Sequence, residues 1–140
     1  MKTVKAILFW LLSLTWGLPM TLLGVVCALA LLVTGHKPRR FHYFIYFEVG
    51  NAWGGFEAGC FFFVNRGASL SLKQHEAGHG IQNIMLGVFM PFVISIPSCI
   101  RYWYREYLMR TGKKTYAQLP PYDSIWFESW ATALGQKHYD

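Results

Sequence analysis

Residues 4–33 are predominantly apolar and carry no charge apart from Lys5. As continuous helix they would measure roughly 45 Å, more than the ~30 Å hydrocarbon core of a bilayer. The pattern predicts one N-terminal transmembrane helix, tilted or kinked at Gly17 and Pro19, and it bounds the chain into an anchor over residues 1–35 and a domain over 36–140. The apolar run is too long for a cleaved signal peptide, and no small-x-small cleavage site follows it. Residues 41–64 are rich in aromatics and glycine, and Phe61–Val64 has the β-branched and aromatic character of a strand or short hairpin.

The stretch "ASLSLKQHEAGHGIQNIMLG" then carries helix punctuation. Ser71 and Gln74 fit a capping box, and Gly87 followed by Pro91 fits a stop. At 100° per residue Leu72, His75, His79, Gln82 and Leu86 share one side, while Ala77, Ile81, Ile84 and Val88 share the other. A second apolar stretch, residues 84–100, is near the lower length limit for a span. Pro91 and Pro97 break the ladder that lipid-exposed backbone must keep, so the expectation is a segment packed on the domain or dipping into the interface. After Pro120 and Pro121 comes a further helix, capped by Asp123 or Ser124, ending near Gly135 and carrying Glu128. The fold class expected is mainly α with one short strand or hairpin.

Composition moves this picture towards the membrane. Of 140 residues 54% are hydrophobic, and mean hydropathy is +0.26. The net charge of +6 comes from residues flanking the apolar stretches: Lys2 and Lys5; Lys37, Arg39 and Arg40; Arg101 through Lys114. That placement suits anionic lipid headgroups. It does not form the basic, aromatic-studded soluble face that nucleic acid requires, so no nucleic-acid partner is expected. The cluster after residue 100 favours a cytoplasmic-facing domain on a membrane, a bacterial inner membrane by expectation. Cys27, Cys60 and Cys99 lie far apart in apolar runs and read as fillers.

The candidate chemistry is "HEAGH", residues 75–79. Side chains at i and i+4 neighbour each other on a helix, so His75 and His79 can share one metal, Zn²⁺ by ligand type. Glu76 is turned about a quarter circle from His75 and can serve as general base without being a ligand. Gly78 and Gly80 each cost roughly 1 kcal/mol of helix propensity, which suggests close approach of a strand, a substrate or a second helix. Catalytic zinc needs a third protein ligand, and Glu128 is the candidate, with Ala131 and Thr132 on its face. Glu106 reads as a salt-bridge partner, Asp123 as a cap, and His36, His42 and His138 as flanking residues. Glu48 and Glu57 are open as ligands or substrate contacts.

"HEAGH" followed at a distance by "ESWA" resembles the zincin metallopeptidases of the gluzincin arrangement, and "GGFEAGCFFFVNRGASLSLKQHEAGHGIQ" looks like small bacterial zincin-like modules with a strand before the active-site helix. The resemblance covers residues 54–135. It implies zinc on His75, His79 and Glu128, Glu76 as base, and hydrolysis of peptide bonds in a peptide or protein substrate; the single N-terminal span, with residues 84–100 not crossing, separately predicts a catalytic site near the membrane surface. The sequence departs from the ExxxD form of several gluzincins, with Thr132 where the aspartate would stand. Tyr122 and Tyr116 are unassigned candidates for an oxyanion donor, and Phe61–Val64 is a candidate for pairing with extended substrate. A non-catalytic membrane adaptor or scaffold that retains zinc is the main alternative. A di-iron oxygenase lacks the further histidine clusters it would need, and Lys73, Gln74, Gln82 and Asn83 argue against an HExxH helix immersed in lipid.

Overall fold

The aromatic segment before the motif builds more sheet than the sequence pattern suggests. In the computed structural model, which describes residues 1–139, four strands form one sheet: β1 (Arg39–Phe41), β2 (Phe44–Glu48), β3 (Gly55–Ala58) and β4 (Phe61–Val64). Their spatial order is β1-β2-β4-β3, with β2 and β4 parallel and the outer pairs antiparallel. Phe61–Val64 is therefore a strand of a hairpin, as expected, but an interior one. Phe44, Tyr46, Phe62 and Val64 belong to one buried cluster with Ala77. Phe47, Phe63 and Ala58 belong to a second cluster with Met20, Met90 and Phe127. Alternation along each strand sends these two sets to opposite faces, so the small sheet is covered on both sides.

The N-terminal stretch is two helices rather than one: α1 (Lys2–Leu14) and α2 (Leu18–Val33), bent by 92°. The break falls at the expected Gly17, and Pro19 sits in the first turn of α2, where its missing N–H leaves no vacancy in the ladder. Thr21 Oγ1 donates to Ser13 O at 2.7 Å across the bend. Packing on the domain explains why a kinked rod becomes a corner. Phe9 meets Phe44 at 4.7 Å between ring centroids, and Trp10 Nε1 donates to Tyr43 O at 2.8 Å. Gly24 lies so close to β3 that a Cβ there would stand 2.4 Å from Ala58 O. Among the described residues no single helix is long and apolar enough to cross a membrane.

The motif helix α3 (Leu70–Leu86) is capped two residues before the expected Ser71. Ser69, extended at ψ 161°, is the N-cap and its hydroxyl accepts from Leu72 N at 3.2 Å. Gly87 ends the helix as expected, with φ 56°. Residues 84–100 then form a 3₁₀ turn (Gly87–Phe89), a π-helical turn (Pro91–Ser95) and the start of α4 (Ile96–Arg110), bent by 116° from α3. Met90 and Ile94 point into the core. This turn brings the chain back, so that α5 (Trp126–His138) lies along α3. Helix α5 runs past Gly135, and Asp123 sits in a separate 3₁₀ turn (Tyr122–Ser124) rather than capping it. Gly135 is a contact residue: a Cβ there would stand 1.8 Å from Gln74 O.

Candidate metal centre

Helices α3 and α5 approach closely because glycine stands where they touch. A Cβ on Gly78 would fall 1.8 Å from Ala131 O, so no larger residue fits with the helices in place. Gly80 admits the Phe44 ring in the same way, its Cβ position lying 2.2 Å from that ring. The two helix-weakening glycines thus serve a second helix and a strand residue respectively.

This approach places Glu128, in the first turn of α5, over the histidines of α3. His75 Nε2 and His79 Nε2 lie 2.9 and 3.1 Å from the same oxygen, Glu128 Oε2. One donor atom from each of the three residues falls within 4.8 Å of the others, and the group can hold a metal ion. Tetrahedral zinc with bonds of ~2.0–2.1 Å separates its ligands by roughly 3.3 Å, and both nitrogen–oxygen separations lie within a few tenths of an ångström of that spacing. Glu128 is fully buried. Burial alone would raise its pKa, but hydrogen bonds from His75 and His79, the charge on His79 and the Ser98 hydroxyl outweigh that, so the carboxyl stays ionised. A buried carboxylate facing two imidazoles is a donor set that suits a divalent cation.

The other ring nitrogens are also held. Gln82 Nε2 donates to Phe127 O at 2.9 Å, which turns the amide oxygen towards His79 Nδ1 at 2.7 Å. Because that oxygen can only accept, Nδ1 carries a proton, and the neutral ring that a metal requires would present Nε2 to the centre. His75 Nδ1 meets the Thr132 hydroxyl at 2.8 Å. The residue that departs from the ExxxD pattern therefore still orients a histidine, by a hydroxyl in place of a carboxylate. Gln74 and Asn83, expected to keep the helix out of lipid, are buried in protein and bonded to Tyr139 O and Gly17 O.

Beside the centre is a cavity of about 430 Å³ lined by Trp53, Phe56, Met90, Ile94 and Trp103 and by His75, Glu76 and His79. Glu76 lies against β3, where a Cβ on Gly55 would stand 2.7 Å from its Oε1. Burial, partly offset by His75 and His79, raises its pKa above the ordinary carboxylate range. Tyr122 also lines the cavity, with its ring 6.3 Å from that of His75. Burial and then the charge on Glu128 push its hydroxyl well above 10, so it stays protonated. Arg101 and Arg105 flank the ring at 5.0 and 5.4 Å.

The remaining candidates fall elsewhere, save one. Glu57 lines the cavity but is no part of the three-residue group; both its oxygens are buried without a hydrogen-bond partner. Glu48 pairs with Arg39 at 3.5 Å, and Glu106 pairs with Arg110 at 3.2 Å as the sequence suggested. His36 meets Thr34, His42 meets the Tyr139 ring, and His138 is exposed at the end of α5. Tyr116 is exposed, away from the cavity. Sequence reasoning missed Gln82 and Ser98 as partners of the centre. Gln82 was visible as a same-face neighbour of His79 at i+3, whereas Ser98 comes from α4 and had no local signal. No family model, curated protein or solved structure matches this chain.

Proposed function

We propose that the protein is a membrane-attached zinc metallopeptidase of the gluzincin type, with His75, His79 and Glu128 as metal ligands and Glu76 as general base. The observation that carries this reading is the convergence of two imidazole nitrogens and one buried carboxylate oxygen at the wall of a cavity that Glu76 also faces. Zinc held there would supply Lewis-acid polarisation of a peptide carbonyl and acidify the attacking water. The chain's own residues do the rest. Glu76 receives a proton on its carboxylate and returns it to the leaving amine, and its raised pKa brings it nearer to the working pH. Tyr122, held protonated beside His75, is placed to donate to the developing oxyanion.

Substrate would lie along the free edge of the sheet. β4 has neighbours on both sides, which excludes the strand first considered for β-addition, while β3 pairs only with β4 and carries Gly55 and Phe56 into the cavity wall. The aromatic and aliphatic lining favours a bulky apolar side chain next to the scissile bond. Charge-free segments at the N-terminus and around residues 84–100 would attach the protein to the membrane. The test is peptidase activity of the reconstituted chain on apolar peptides. Glu76→Gln should lower kcat by about 10²–10⁴ with the metal retained. Wild type and Glu76→Gln showing the same activity would exclude the peptidase reading and favour a non-catalytic metal-binding adaptor.

A further inference from the structure

The two bends in the chain touch each other. Trp16, at the α1–α2 corner, lies over Gly87, at the α3–α4 corner, where a Cβ would stand 1.9 Å from the indole; the Trp16 and Phe89 rings are 5.9 Å apart. Each corner also satisfies a backbone carbonyl of the other. Trp16 Nε1 donates to Met85 O at 3.4 Å, and Asn83 Nδ2 donates to Gly17 O at 3.3 Å. Within the first corner Gly17 N donates to Leu12 O and Thr15 Oγ1 to Leu11 O. Around these polar groups the surface is apolar: Leu14, Met85, Phe89 at 58% and Phe92 at 72% exposure.

We infer that this pair of corners is a bilayer-insertion surface, with both bends entering the same leaflet and the chain crossing at neither. This inference stands apart from the peptidase reading. Three observations select lipid as the occupant. First, no Asp, Glu, Lys or Arg occurs in residues 6–36 or 77–100, the two stretches that contain the bends. Second, cations flank both stretches: Lys5, Lys37 and Arg101 stand at three of the four ends, and Lys73 lies three residues beyond the buried Glu76 at the fourth, between about 15 and 30 Å of chain back from the corners, a collar suited to anionic headgroups. Third, hydrocarbon offers no hydrogen bonds, so a lipid-facing bend must satisfy its carbonyls from within, as Trp16 and Asn83 do here. Helix length is consistent with this. At 13 and 16 residues, α1 and α2 measure roughly 20 and 24 Å, each short of the ~30 Å core. His79 stands eight residues before Gly87, about 12 Å up α3, which sets the metal centre between the inserted corners and the cationic collar.

Two measurements on the full chain in phosphatidylglycerol-containing vesicles test the inference, with Cys27→Ala and Cys99→Ser as background and buried Cys60 left in place. Nitroxide labels at Phe89→Cys and Phe92→Cys should collide several-fold more with oxygen than with an aqueous nickel reagent, and a label at Gln136→Cys should show the reverse. All three positions are exposed, so these substitutions leave the core intact. Thr3→Cys and Lys37→Cys placed in one chain and treated with a membrane-impermeant maleimide should give chains labelled twice or not at all. Chains labelled once throughout would show that residues 1–35 cross the bilayer and would overturn the inference. Labels at 89 and 92 open to the aqueous reagent would place the patch in water. Labels shielded from both reagents, with a doubled particle mass in detergent, would make a second copy of the chain the occupant; either result overturns it.

Discussion

Gly78→Ala is the perturbation whose sign separates the packing account from local propensity. On propensity alone alanine in a helix interior is favoured over glycine by about 1 kcal/mol, so the variant should be more stable. The structure predicts the opposite. The new Cβ would stand 1.8 Å from Ala131 O, whereas an ordinary carbon–oxygen contact needs roughly 3.3 Å, so α3 and α5 must part by about 1.5 Å at this point. Overpacking of this kind costs about 3 kcal/mol, leaving a net loss of about 2 kcal/mol and a Tm lower by about 8 °C for a chain of this size. The same separation lifts Glu128 from His75 and His79, and a metal centre tolerates only about 0.2 Å in its bond lengths. Metal affinity should therefore fall by more than about tenfold. Thermal unfolding followed by near-ultraviolet circular dichroism, with and without added zinc, reads the stability, and calorimetric titration reads the affinity. A Gly78→Ala protein as stable as wild type and with unchanged zinc affinity would refute the close α3–α5 contact as the basis of the centre.

The positioning residues give a second expectation: Gln82→Leu and Thr132→Val should each weaken metal binding by about 10–100-fold in calorimetric titration without removing a ligand. Among the carboxylates, Glu128→Ala should strip the metal while Glu106→Ala retains it, as measured by metal content after dialysis. Glu57 makes a pH prediction. Burial, and then the charge on Glu76, raise its folded pKa well above the ordinary 4.5, so the stability it contributes is complete below that value and lost as pH rises through the folded pKa. Glu57→Gln, neutral at every pH, should be more stable than wild type above neutrality and about equal in acid, in thermal melts of the metal-free protein. Equal melting temperatures at high pH would show that Glu57 meets a partner in solution.

How much of this was legible in the sequence follows from how local each cause is. The spacing of His75 and His79 fixes their shared face on any helix, and the demand for a third donor pointed to Glu128 because few other carboxylates lie on a punctuated helix. Gly17 and Gly87 marked both bends, since glycine's backbone freedom is a property of the residue itself. The angle of the first bend was not legible, because α2 turns away from α1 only to pack on β3 and on Thr21's contact with Gly59. The roles of Thr132 and Ser98 depend on which helices meet. The choice of Ser69 over Ser71 as cap rests on the extended backbone of the preceding loop, and two serines at that spacing look alike in sequence. Strands β1 and β2 were hidden in a segment whose aromatics have equal reasons to line a sheet or a helix contact.

The central claim is that His75, His79 and Glu128 bind one zinc ion that Glu76 does not ligate. The most direct measurement is metal content and zinc K-edge absorption fine structure of the purified chain and its Glu76→Gln and His79→Ala variants. The account predicts about one zinc per chain in wild type and Glu76→Gln, with nitrogen and oxygen scatterers at ~2.0–2.1 Å and no sulfur, and almost none in His79→Ala. Equal zinc in all three proteins, or a sulfur scatterer at ~2.3 Å, would contradict it.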